Sequence, residues 1–207
     1  VNEMKDLDEA LRHLQFPLFV KPAHAGDSLG VDEHSLVHTK EELFDKTASI
    51  IKEYAPLLVE EYIAGREFTA LVAGNPDGKS CTVFRPVEHL FPKGKEFKTY
   101  SLKTSELHPE CNFPCTDEAI NKKLRFAAEK IFTAVNAVGY GRLDFRVNDK
   151  NEIYFLEMNL TCSVFYKDGY EGSADFILKY DEIGQAGFLR HIIAEGIART
   201  RYRGQRA

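Results

Sequence analysis

The stretch "GRLDFRVNDKNEIYFLEMN", residues 141–159, carries Arg142, Asp144, Glu157 and Asn159 at spacings that suit metal chemistry. It reads as two short strands around the polar turn Asn148–Asn151. Strand alternation puts Arg142, Asp144 and Arg146 on one face of the first strand. It puts Ile153, Phe155, Glu157 and Asn159 on one face of the second. A tight turn predicts Val147 opposite Glu152, Asp144 opposite Phe155 and Arg142 opposite Glu157. Asp144, Glu157 and Asn159 then offer oxygen donors only, with no thiolate or imidazole close in sequence. Such a set suits Mg²⁺ or Mn²⁺, hard cations that keep waters or phosphate oxygens among their ligands. From alternation alone, a surface hairpin with cross-strand ion pairs explains the pattern equally well.

Two other stretches could bind a nucleotide. In "FVKPAHAGDSLGV", Lys21 ends an apolar strand, and a loop bearing Gly26, Ser28 and Gly30 follows. Small residues let backbone N–H groups approach phosphate oxygens, and the lysine adds a point charge. The lysine precedes the glycines, so this is not a Walker A loop. In "LVEEYIAGREF", an apolar strand meets acidic residues and a glycine. Its backbone could hydrogen-bond an adenine ring, and Glu67 could take ribose hydroxyls. Each stretch by itself is read more simply as ordinary strand and turn.

The elements that must position these residues mix helices and strands without a regular βαβ rhythm, which predicts an α+β fold. "DLDEALRHL" is a short helix, and "TKEELFDKTASIIKEY" an amphipathic one with a Thr39/Glu42 capping box. "CTVFRPVEHL" is extended. Residues 92–115 form a long stretch of weak periodicity, of the kind used for lids. "TDEAINKKLRFAAEKIFTAVNAV" is the clearest helix, with an apolar stripe of Ile120, Leu124, Ala127, Ala128, Ile131 and Val135. A glycine-rich loop leads to a last helix near "QAGFLRHIIAEGIAR".

The co-occurrence of these stretches, in this order, resembles the ATP-grasp superfamily and within it the D-alanine–D-alanine ligases. The marks are "FPLFVKPAHAGDSLGV", "LLVEEYIAGREFT" and "GYGRLDFRV" followed by "EIYFLEMN". The resemblance implies two α+β subdomains with the nucleotide site between them. Residues 1–63 would be the remainder of the small ATP-grasp subdomain and residues 64–207 the large one, the amino-terminal part of the enzyme being missing. It implies that Lys21 contacts the ATP phosphates under the Gly26–Gly30 loop. Glu60 and Ile63 match the adenine hinge, and Glu67 the ribose carboxylate. Asp144, Glu157 and Asn159 match the metal ligands. Arg142 matches the arginine that stabilises the tetrahedral intermediate, and Lys103 in "YSLKT" the lid lysine at the γ-phosphate. Ser173 is a looser match for a residue on the substrate carboxylate.

The implied activity is an ATP- and Mg-dependent carboxylate–amine ligase working through an acyl phosphate. Its partners are small-molecule acids and amines, and a homodimer is left open. Three positions depart from the family pattern: "LTCSVF" replaces a Pro–Gly turn after Asn159, Thr104 stands for a lid tyrosine, and Asp27 for a serine. These departures keep a second reading open, a catalytically degenerate ATP-binding module acting by interaction.

The 207 residues are 43% hydrophobic and 29% charged, with a net charge of −5. That composition is ordinary for a soluble domain and argues against nucleic acid as the main partner. No apolar run is long enough to span a bilayer, and no signal peptide opens the chain. Cys81, Cys111, Cys115 and Cys162 read as reduced cytoplasmic thiols. With no initiating Met, "VNEMKDLDEALRHL" reads as the cut edge of a longer protein.

Overall fold

The structure, a computed structural model, describes residues 1–26, 28–91, 93, 94, 96, 97, 99 and 111–204, with side chains through Arg201. It divides into two compact units, Val1–Ile63 with Gly94–His108, and Ala64–Lys93 with Pro109–Ala207.

In the first unit a 3-10 turn leads into the short helix α1 (Leu7–Ala10). The strands β1 (Leu18–Pro22), β2 (Leu36–Val37) and β3 (Leu57–Glu61) form an antiparallel sheet in the order β2-β1-β3. Alternation sorts β1 into two faces. Leu18 and Val20 join Val37, Leu43, Ile50 and Leu57 in the core under the helix α2 (Lys40–Tyr54). Phe19 and Lys21 take the opposite face, with Leu58 and Glu60 of β3. Thr39 caps α2, accepting from the Glu42 N–H at 3.2 Å. The Glu42 carboxylate reaches one residue further back than a capping box requires, to the His38 N–H at 2.7 Å.

The second unit is built on a sheet ordered β7-β6-β4-β8-β9, with β5 also paired to β4. These strands are β4 (Arg66–Gly74), β5 (Cys81–Val83), β6 (Val87–His89), β7 (Asn112–Pro114), β8 (Tyr140–Val147) and β9 (Ile153–Asn159). All their pairings are antiparallel. The extended run from Cys81 splits into two strands before Pro86, which has no N–H for a ladder. The strand β7 lies inside the stretch expected to be lid.

Helix α3 (Glu118–Ala134) covers one face, packing Ile120, Leu124, Ala128 and Phe132 on Phe68, Ala70, Val72, Leu143, Phe145 and Val147. Phe132 takes the place expected for Val135, which stands beyond the last helical residue and is 52% exposed. On the opposite face α4 (Ser173–Tyr180) and α5 (Gly184–Gly204) supply Phe176, Ile177, Leu178 and Phe188 to a second core with Leu71, Ala73 and Phe84. That face carries Glu67, Thr69, Asp144 and Arg146 further along the same strands. Among the described residues, no helix is long and apolar enough to cross a membrane.

The β8–β9 register differs from the expectation of a tight turn. Next to the turn Val147 pairs with Ile153, Arg146 with Tyr154 and Phe145 with Phe155. The register then shifts, so that Asp144 pairs with Glu157 and Arg142 with Asn159. Leu156 is the extra residue of a β-bulge. The strand therefore does not keep Ile153 and Phe155 on one face with Glu157 and Asn159. Ile153 packs with the α3 core, and Phe155 lies edge-on to the Phe145 ring at 5.8 Å. Glu157 and Asn159 emerge on the other face, with Asp144 and Arg142. Bulges commonly re-aim side chains beside functional sites. A longer turn sets the first offset: Asn148 Oδ1 accepts from the Lys150 and Glu152 N–H groups at 3.0 and 2.9 Å, and Asn151 turns left-handed (φ 58°).

Candidate active site

Three cross-strand rows lie side by side on the polar face of the larger sheet. They are Glu67–Arg146–Tyr154, Thr69–Asp144–Glu157 and Leu71–Arg142–Asn159. Antiparallel partners share a face, so these rows bring five of the expected residues together: Glu67, Arg142, Asp144, Glu157 and Asn159.

The middle row is held from both sides. Thr69 Oγ1 donates to Asp144 Oδ1 at 2.8 Å, and Arg142 Nη2 donates to Asp144 Oδ2 at 3.1 Å. Arg142 also lies 3.9 Å from Glu157 Oε1, so its guanidinium stands between two carboxylates. Burial is the largest single influence on the Arg142 pKa and lowers it, but the Asp144 charge and hydrogen bond together with the Cys162 and Glu157 charges outweigh it, and the net shift is upward. Its Nε is buried with no hydrogen-bond partner among the described residues. A donor so placed fits an anion arriving at the site. Glu157 is the open member, its side chain 59% exposed. Asn159 Oδ1 accepts from the Thr161 N–H at 2.9 Å and, at the longer distance of 3.4 Å, from Thr161 Oγ1, which fixes the amide.

This donor set fits a hard divalent cation. It is all oxygen, two carboxylates and one amide. Among the described residues no three His, Cys, Asp or Glu side chains gather as a closed metal cage. An open set of this kind suits a cation that completes its shell with waters or phosphate oxygens.

The first row holds Glu67 in a more enclosed place than ribose binding suggests. Glu67 is 7% exposed, and its Oε2 accepts from Arg146 Nη2 at 3.3 Å. Arg146 also donates to the Gly65 carbonyl at 3.4 Å, and its guanidinium lies 5.8 Å from the Phe91 ring centre. Neither Thr69 nor Arg146 figured among the expected site residues. Both could have been found: Thr69 is two residues from Glu67, and Arg146 two from Asp144. Cys162, just past β9, is buried in the second core. Burial pushes its thiol up to about 11, with Arg142 opposing and Asp144 adding to the shift.

In the first unit Lys21 Nζ lies 2.6 Å from Glu60 Oε1. The residue expected at the phosphates and one expected at adenine thus share a face and pair. Ile63 follows two residues beyond β3. In the loop after β1, Ser28 and Gly30 both take positive φ, 58° and 75°. A Cβ on Gly30 would come within 2.8 Å of Pro22 Cγ, so glycine lets the loop return against the strand end. Ser173 is the first residue of α4. Lys103, Thr104 and Asp27 lie outside the described residues.

The architecture is that of the ATP-grasp ligases. The chain superposes on the VanG D-Ala:D-Ser ligase from Enterococcus faecalis with a TM-score of 0.72, at 24% identity over 94% of this chain and 53% of that one. It superposes on the D-alanine–D-alanine ligase from Bacillus anthracis, solved in complex with ATP, with a TM-score of 0.64, at 20% identity over 92% of this chain and 56% of that one. The family model described as D-ala D-ala ligase C-terminus matches residues 1–164, and the chain belongs to that family. Curated relatives agree. The D-alanine–D-alanine ligase of Vesicomyosocius okutanii is 36% identical over 74% of this chain and 50% of its own length. That of Streptococcus uberis is 31% identical over 76% of this chain and 44% of its own. The chain spans about half the length of these relatives.

Proposed function

We propose that the protein carrying this chain is an ATP- and Mg²⁺-dependent ligase that joins a carboxylate to an amine through an acyl phosphate, with D-amino acids as first candidate substrates. One observation carries the reading. On a chain of the D-ala D-ala ligase C-terminal family, the bulge at Leu156 turns Glu157 and Asn159 onto the face of Asp144 and Arg142.

Asp144, Glu157 and Asn159 hold the metal, which screens phosphate charge during transfer. Lys21 takes the phosphates under the Gly26–Ser28–Gly30 loop, exchanging its Glu60 contact for phosphate oxygens. Glu60 and the Ile63 backbone then serve adenine, and Glu67 serves ribose. Arg142 presents its unpaired Nε to the oxyanion formed when the amine attacks the acyl phosphate; Lys103 assists at the γ-phosphate and Ser173 at a substrate carboxylate. The protein's part is positioning and charge, and no side-chain nucleophile is required.

A cytoplasmic location completes the reading. Four cysteines outside any disulfide support a reducing compartment. The family match and the placement of Arg142 support a ligase over a module that only binds nucleotide, for which an intermediate-stabilising arginine has no use. The test is phosphate release from ATP by the intact gene product, screened over pairs of D- and L-amino acids. Release that depends on supplying an acid and amine pair is the expected result. Tight ATP binding with no turnover for any pair would favour the degenerate module.

A further inference from the structure

Lys46 is the exception in the apolar stripe of α2. It sits between Leu43 and Ile50 at helical spacing, and its side chain is only 2% exposed. A lysine in such a place is costly unless its ammonium is paired. Lys46 Nζ donates to Asp32 Oδ1 at 2.8 Å and to the Gly30 carbonyl at 3.1 Å. Both acceptors belong to the foot of the loop that leaves β1.

That foot is clamped from two sides. Gly30 lies against the Pro22 ring so closely that a Cβ would not fit, and Lys46 holds its carbonyl from the helix. Asp32 is fixed in turn, since its Oδ1 also accepts from the His34 N–H at 3.0 Å and its own N–H donates to Ser35 Oγ at 3.0 Å. Two turn bonds then carry the constraint forward, Val31 N–H to Ser28 O at 3.0 Å and Leu29 N–H to Gly26 O at 3.1 Å. At Gly26 no described residue lies within 4 Å of where a Cβ would stand. The described part of the loop therefore has a fixed foot.

We propose that Lys46 is a positioning residue for nucleotide phosphates. By tying the Gly30 carbonyl to the helix side, it keeps an oxygen that would repel phosphate turned away and holds the Gly26–Gly30 backbone in shape. This role presupposes that the loop takes phosphates, as proposed above. It differs from that of Lys21, because Lys46 need not touch the nucleotide.

The test uses the intact gene product with ATP, adenosine and Mg²⁺. Lys46→Met should weaken ATP binding about tenfold, the scale of one lost charge-assisted bond, while adenosine affinity stays within about twofold. Amide hydrogen exchange at Leu29 and Val31 should quicken, and Lys46→Arg should restore most of the ATP affinity. A Lys46→Met protein that binds ATP like the parent, or loses adenosine in the same proportion, overturns the proposal. Should that variant not fold, Asp32→Asn supplies the same test, with a smaller loss for ATP and none for adenosine; parent-like ATP binding there is equally fatal. A parent that does not bind ATP removes the phosphate-loop reading itself, whereas a binding parent with an unaffected variant removes only the role of Lys46.

Discussion

Asp144 and Glu157 stand directly opposite each other on neighbouring strands, and they do so because Leu156 has no partner. Up to Phe155 the strand β9 presents its alternate residues to the α3 core. One unpaired residue later the same alternation presents them to the polar face. Deleting Leu156 removes the extra residue and should leave a regular ladder in which Glu157 and Asn159 still face Asp144 and Arg142. The expected outcome is Mn²⁺ binding kept, read by electron paramagnetic resonance. Loss of Mn²⁺ binding by a folded deletion variant would show that the local shape of the bulge, and not the register alone, builds the site.

Glu157 and Arg142 should fail in different ways. Glu157 is exposed and its removal leaves the sheet intact, so Glu157→Gln should fold normally and lose metal-dependent nucleotide binding by at least about tenfold. Arg142→Ala should bind ATP nearly as the parent does but turn over about a hundredfold or more slowly, the scale of losing an oxyanion donor. Separate measurement of nucleotide affinity and single-turnover rate distinguishes them. Parent-like behaviour by both would remove the site assignment.

Glu67 and Arg146 form a buried pair, and truncating one partner removes the opposite charge from beside the other. Arg146→Met should cost about 3–5 kcal/mol of stability in denaturant unfolding. The double variant Glu67→Gln/Arg146→Met should recover much of that loss, giving a clear coupling energy in the mutant cycle. If Glu67 also serves ribose, the double variant should still bind ATP more weakly than the parent.

Cys162 makes stability fall at high pH. Burial raises its folded-state pKa from 9.0 to about 11, so the folded protein retains a proton that the unfolded chain gives up. The contribution is fully present below pH 9.0 and is lost as pH rises toward about 11. Unfolding free energy, measured without divalent metal, should drop across that window. The Cys162→Ala variant should show a shallower drop. At pH 8 the Cys162 thiol should resist alkylation in the native protein.

Much of this was legible in the residues themselves. The strand β1, the long helix α3 and the shared face of Arg142, Asp144 and Arg146 follow from local composition and periodicity, which a chain carries without its partners, and the order of the three marked stretches carries the family resemblance. Which residues face one another across strands does not. The bulge at Leu156, the Thr69 bond to Asp144 across 75 residues of sequence, the closing of Arg146 on Glu67 across 79, and the anchoring of Gly30 by Lys46 exist only once distant segments pack. The reason is physical: alternation assigns a side chain to a face, whereas register and partner are set by turn length, an unpaired residue and the core on the far side of the sheet.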